Sequence, residues 1–223
     1  MLKNDPTNLD YFKLIKAEKK LDPKATTRTI RVAVLGDCAT QQVCALLRVL
    51  LRRQGIGAEI YEAGFDTIET EIIDPDSSLY AFRPDAIVIV NTTNALKPRF
   101  YQGAKERETF AASTLERITS LWSALRRHTQ ALIVQSNFVL PYERVFGNYD
   151  HQVGTSLVET VKEINRGLTE RSRTLKNVAI NDLDYVASWV GRRHWFDEKL
   201  WILAKSPCAL ERMSFGKNAS TKI

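Results

Sequence analysis

At 223 residues the chain can bury a full core as a single domain, and 44% hydrophobic with 26% charged residues excludes disorder and fibrous designs. No apolar run approaches the roughly 20 residues that span a bilayer, and Met1-Leu2-Lys3-Asn4-Asp5-Pro6 lacks a secretory signal's apolar stretch, so a cytoplasmic location is expected. The net charge of +6 is dispersed in short pieces (Arg52-Arg53, Arg126-Arg127, Arg192-Arg193) among acids, which reads as solvated helix faces and suits an acidic partner better than nucleic acid.

Asn8 to Lys20 places Leu9, Phe12, Leu14 and Ile15 among lysines at the spacing of a short amphipathic helix, ended by Pro23. Short β-branched runs then alternate with longer amphipathic ones, the pattern of parallel βαβ units. Arg31–Leu35 reads as a first strand stopped by Gly36, and Thr40–Gln54 as a helix with Val43, Leu46, Leu47, Leu50 and Leu51 on one face. Ala58–Tyr61 reads as a second strand, and Ala86–Val90, almost uninterrupted in its apolar character, as a third covered on both faces. A helix over Glu106–His128 leads to a fourth strand at Ala131–Val134, and a helix over Ser156–Arg173 to a fifth at Val178–Ile180. These elements predict a three-layer α/β/α sandwich on a parallel sheet of about five strands, with residues 1–30 as an N-terminal helical extension, 31–210 as the domain and 211–223 as a tail.

Open parallel sheets bind ligands beyond the carboxyl ends of their strands, so the segments leaving those ends carry most of the information. The first of them is Gly36-Asp37-Cys38-Ala39-Thr40-Gln41-Gln42. A thiol between a strand and a helix start meets unpaired helix amides and the positive end of the dipole, which favour thiolate and can hold an oxyanion; the alternative is a small residue at a tight turn. Cys44 falls within the helix and reads as packing, and Cys208 as a tail residue. The three cysteines match neither a CxxC pair nor a disulfide framework, so free thiols are expected.

A first strand ending in Gly-Asp-Ser is the nucleophile block of the SGNH hydrolases, and Gly36-Asp37-Cys38 resembles it with cysteine for serine. The fuller string Val34 to Gln42, with Phe138-Val139-Leu140-Pro141, Phe146-Gly147-Asn148-Tyr149 and Trp195 to Pro207, resembles the N-terminal SGNH-hydrolase-like domain of FkbH-like proteins from about Arg31 to Leu210. That resemblance implies transfer of a glyceryl group from a phosphorylated three-carbon donor, through a thioester on Cys38, to the phosphopantetheine of an acyl carrier protein. No cofactor of the chain's own is implied. Members of the family usually continue into a haloacid-dehalogenase-like phosphatase domain with an Asp-x-Asp-x-Thr loop; Asp182-Leu183-Asp184 lacks the threonine, so a truncated product or excised domain is one reading of this chain.

The Asp-x-x-His block that supplies the base in SGNH enzymes is also missing. His194, oriented by Asp197, has the corresponding location in reverse order and is the candidate base, with a solvent-facing loop histidine as the alternative. His128 and His151 read as surface residues. For the oxyanion, Asn91 holds the place of the SGNH asparagine after the third strand, and Asn137, leaving the neighbouring strand, is the second candidate; either could instead cap a turn. Asp37 completes the candidate catalytic set. Two other functions stay open: an esterase with cysteine in place of serine, and a non-catalytic module that docks a carrier protein.

Overall fold

The computed structural model describes residues 26–103 and 106–209, together with Lys16. Apart from Lys16, the helix expected over Asn8–Lys20 and the tail from Glu211 lie outside the described residues. Five parallel strands run β1 (Arg28–Gly36), β2 (Ile56–Glu62), β3 (Ala86–Val90), β4 (Leu132–Ser136) and β5 (Val178–Asn181), in spatial order β2-β1-β3-β4-β5. This is the doubly wound order in which the chain reverses direction across the sheet between β1 and β3.

The sheet is buried on both faces because alternate residues of β1 serve two cores. Ala33 and Leu35 join Ile87, Ile89 and Ile133 in the larger cluster, while Val32 and Val34 join Cys44, Leu47, Leu51 and Val88 on the other side. On the second face lies α1 (Gln41–Arg53), which turns Cys44, Leu47 and Leu51 onto the sheet and Leu46 and Val49 towards Ala187 and Trp195. Gly55, with φ of 74°, makes the left-handed turn that sends the chain from α1 into β2.

Three short helices escape periodicity reading: α2 (Ile68–Ile73), α3 (Ser78–Phe82) and α4 (Thr93–Gln102). Each is too short for a clear apolar stripe, and α4 holds Pro98 in its interior. With α5 (Phe110–His128) and α6 (Leu157–Arg173) they close the first face around the fully buried Trp122. The helix expected from Glu106 begins only at Phe110, whereas α6 starts as expected, its first turn capped by Ser156 Oγ accepting from Glu159 N at 3.3 Å.

After β5 come α7 (Leu183–Val190), α8 (Arg192–Trp195) and α9 (Glu198–Ala204). Of the aromatic residues in this segment, Trp195 is buried with Ala187, Val139 and Cys208, while Trp189 is 45% exposed and stacks on Tyr185. His128 stacks against Tyr80, with ring centroids 5.0 Å apart. Among the described residues no helix is long and apolar enough to cross a membrane.

Candidate functional site

The switch point between β1 and β3 brings Asp37 and Asn91 together. Gly36 pairs with Val90 in register, so both strands end level and their next residues meet. A side chain at position 36 would collide with Thr40, its Cβ lying 2.6 Å from Cγ2, which explains glycine at this turn. Asp37 accepts from Asn91 Nδ2 at 3.1 Å, from Thr92 Oγ1 at 2.9 Å and from Thr92 N at 2.9 and 3.1 Å. Behind it the chain of bonds continues into the core: Gln135 Nε2 donates to Asn91 Oδ1 at 2.9 Å, and Trp122 Nε1 to Gln135 Oε1 at 3.1 Å. The amide of Asn91 is thereby held in one orientation, with its second hydrogen not engaged by any described residue.

Burial pushes the Asp37 carboxyl up from 3.8 to about 6, against the donors from Asn91 and Thr92, which hold it down. Its sign for stability follows. Folded Asp37 keeps its proton to higher pH than unfolded Asp37, so its contribution favours the fold below about pH 4 and is lost as pH rises through about 6. The wild-type minus Asp37→Asn difference in unfolding free energy, measured by urea titration from pH 3.5 to 7, should fall with pH by up to ~1.4 kcal/mol per unit and level off above the window. A difference curve flat across that range would mean that Asp37 titrates normally.

Asp37 and Asn91 form the inner wall of a cavity of about 350 Å³. Its rim carries Asp66 and Glu69 from the segment after β2, Arg99 from α4 and Arg117 from α5, above an apolar floor that includes Leu121 and Phe138. Arg117 Nη1 donates to Glu69 Oε1, while its Nε is buried without a partner among the described residues. Asp66 stands in the left-handed region with φ of 56°, its N–H donating to Gly36 O at 3.1 Å.

Cys38 lies beside this cavity but does not line it; the residue is 1% exposed. The expectation of a thiolate poised by a helix N-terminus is corrected here. The helix starts at Gln41, not Thr40, leaving Cys38 two residues ahead of the cap position, where the dipole has little hold. Burial instead raises the thiol far above its ordinary value, and the Asp37 carboxylate and Cys208 raise it further. Thr40 does not cap α1 with its side chain but donates to Glu62 Oε1 at 2.6 Å.

What covers Cys38 is the segment after α9, residues 205–209, which includes Cys208. Ala39 N donates to Lys205 O at 2.8 Å, Ser206 Oγ to Cys208 O at 2.8 Å, and Ala209 N to Trp195 O at 2.8 Å. Cys208 is 4% exposed within the Trp195 cluster. This strap takes the amide of the residue after Cys38, the donor that an oxyanion at this turn would need.

The other candidates separate. Asn137 Nδ2 donates to Asp182 Oδ1 at 2.7 Å and its Oδ1 accepts from Asp184 N at 3.1 Å, so it ties β4 to the start of α7. Asp197 caps α9, accepting from Leu200 N at 3.0 Å, and no bond among the described residues joins it to His194. His194 is exposed on α8, the helix whose Trp195 packs against the strap. The structure thus brings together Asp37, Asn91 and, beneath them, Cys38.

The sequence pattern described as FkbH, N-terminal domain, matches residues 31–222. The chain belongs to this family. The match extends past Leu210, where the resemblance in the sequence ends. No curated protein sequence matches the chain. Among solved structures, the N-terminal part of the protein BF1531 from Bacteroides fragilis, containing a phosphatase domain complexed with Mg, superposes with a TM-score of 0.82 at 23% identity, over 92% of this chain and 54% of its own. Salicylyl-acyltransferase SsfX3 from a tetracycline biosynthetic pathway gives 0.44 at 12% identity, over 88% and 53%, too distant to inform the site. The FkbH-type chain therefore spans about half the length of the solved proteins it matches.

Four rim residues of this FkbH-type domain, Asp66, Glu69, Arg99 and Arg117, were not singled out from sequence. Their signal is weak: Asp66 sits in the turn after β2, Glu69 opens the short α2, and the arginines lie on helices where a lone arginine usually faces solvent. Only the strand order brings them to one place.

Proposed function

We propose that this chain carries an acyl group, a glyceryl group in the first instance, as a thioester on Cys38 and passes it to the phosphopantetheine thiol of an acyl carrier protein. The observation that carries this reading is Gly36-Asp37-Cys38 at the switch point of an FkbH-type domain, beside a cavity holding Asp37 and Asn91. In the first step the Cys38 sulfur attacks the carbonyl carbon of an acyl phosphate; the carbon–oxygen bond to phosphate breaks, phosphate leaves with the electron pair, and the thiol proton passes to a base. In the second the carrier thiol gives its proton to the base and its sulfur attacks the thioester carbonyl carbon; the bond from that carbon to the Cys38 sulfur breaks, and Cys38 leaves as thiolate and regains a proton from the base.

Because the resting thiol is buried and protonated, the strap over it must open for either step. Asp37, adjacent and poised near neutrality, is the first candidate to take the proton; His194 on α8 is the second, once the strap has moved. Asn91 offers its free amide hydrogen to the developing oxyanion, and Asn137 and Asp197 act through the loops they hold. A haloacid-dehalogenase-like phosphatase, on the same polypeptide or separate, is the expected associate, since the Bacteroides fragilis protein contains a phosphatase domain.

Intact mass after incubation with candidate acyl phosphates tests the reading. Wild-type protein should gain one acyl group that hydroxylamine removes, and Cys38→Ser should gain no thioester while keeping its fold. An adduct that survives in the Ser variant, or none with any donor while a carrier protein still binds, would favour the docking module, which the burial of Cys38 supports.

A further inference from the structure

We infer that the cavity beside Asp37 is an oxyanion subsite in which Arg99 and Arg117 grip the phosphate or carboxylate of a small hydroxylated ligand. The inference rests on the reading of this cavity as the donor's binding place, yet binding is separable from chemistry on Cys38.

Two guanidiniums line one small cavity with hydrogen-bond donors to spare. Arg99 makes no side-chain hydrogen bond to any described residue, and its proton is held below the usual arginine range by burial and by the charge of Arg117. Arg117 spends Nη1 on Glu69 and leaves Nε buried and unpartnered. Each guanidinium has donors to spare in a planar fork, and an oxyanion between them satisfies both while relieving their repulsion.

The carboxylates on the same cavity define the rest of the ligand. Glu69 is committed to Arg117, and Asp37 takes its bonds from Asn91 and Thr92. Asp66 makes no side-chain hydrogen bond among the described residues, although its charge acts on Arg99, and it stands in a strained backbone conformation of the kind found at ligand sites. It suits a hydroxyl donor. With three acids and two arginines on one cavity, an anion is favoured only at the guanidiniums, so the match is a molecule with an oxyanion at that end and hydroxyl groups beyond it. The volume, about 350 Å³, admits only a small one.

The test uses the full chain, inorganic phosphate and acetate at constant ionic strength, and the arginine Nε–H NMR signals. Phosphate should shift the Arg99 and Arg117 signals saturably. Arg99→Gln and Arg117→Gln should each weaken that binding about tenfold or more, while Arg166→Gln on α6 leaves it unchanged. Saturation by acetate in place of phosphate also supports the subsite and assigns it to carboxylates. No saturable shift with either anion, or phosphate binding as tight in Arg99→Gln as in wild type, overturns it; if Arg117→Gln does not fold, Arg99→Gln decides. Thioester formation without anion binding removes this inference alone, and anion binding that persists in Cys38→Ser while the wild type forms no adduct removes the acyl-transfer reading alone.

Discussion

Asn91→Ala should lower the unfolding free energy by ~2–4 kcal/mol, seen as a lower urea midpoint at unchanged slope. Asn91 is 8% exposed, donates to Asp37 and accepts from Gln135. Truncation removes both bonds, leaves a void at the switch point and loosens the Gln135 side chain that receives Trp122 Nε1 in the middle of the larger core. Deleting one partner of a buried pair costs more than the pair is worth, because the remaining group stays desolvated. The same change takes away the first of the donors that hold the Asp37 carboxyl down, so its proton should be retained to still higher pH. Ser120→Ala, on the exposed side of α5, serves as the comparison and should stay within ~0.5 kcal/mol. If Asn91→Ala were equally mild, the network would not be a structural unit.

The parts of this fold that could be read from sequence are those whose burial is symmetrical or strongly periodic. Ala86–Val90 was legible to the residue because both faces of β3 are covered, so no polar position blurs the run. Thr40–Gln54 was legible to within a residue at each end, since α1 packs on the sheet along one side and on α7 and α8 along another. By contrast, α2 and α3 hold the edge of the first face with little more than Ile68, Ile72 and Leu79, too few positions to establish a period.

The site was legible only in its strand-borne half. Asp37, Cys38 and Asn91 leave β1 and β3, so locating the strands located them, and the reversal of strand order placed them together. Whatever depended on the route of the chain between elements was hidden: the arginines of α4 and α5, the acids after β2, and the return of residues 205–209 across the end of β1. That last feature also reversed the electrostatic expectation for Cys38. Proximity to a helix start argues for a thiolate, but the dipole's influence fades within a turn, while removal from water acts at full strength on a thiol covered by another segment.

The strap therefore controls what Cys38 can do. Ending the chain after Ala204 should raise the rate at which Cys38 reacts with a neutral-pH thiol probe by about a hundredfold, corresponding to ~3 kcal/mol of local opening no longer required. In the intact protein Cys38, Cys44 and Cys208 are all buried, and burial has pushed the thiols of Cys44 and Cys208 up to about 12, so all three should label slowly. The shortened chain lacks the Lys205 carbonyl that engages Ala39 N and the Cys208 side chain beside Cys38. Cys44 is an internal control, because it is enclosed between α1 and Val32 and Val34, away from the strap. Acceleration at Cys38 with Cys44 still slow identifies a local cover; equal acceleration at both identifies global unfolding, and an unchanged Cys38 rate shows that something other than the strap encloses it. An acyl carrier protein added to the intact chain provides a second measurement: if the carrier opens the strap as part of acyl transfer, Cys38 labelling should speed up in its presence at the same Cys44 rate.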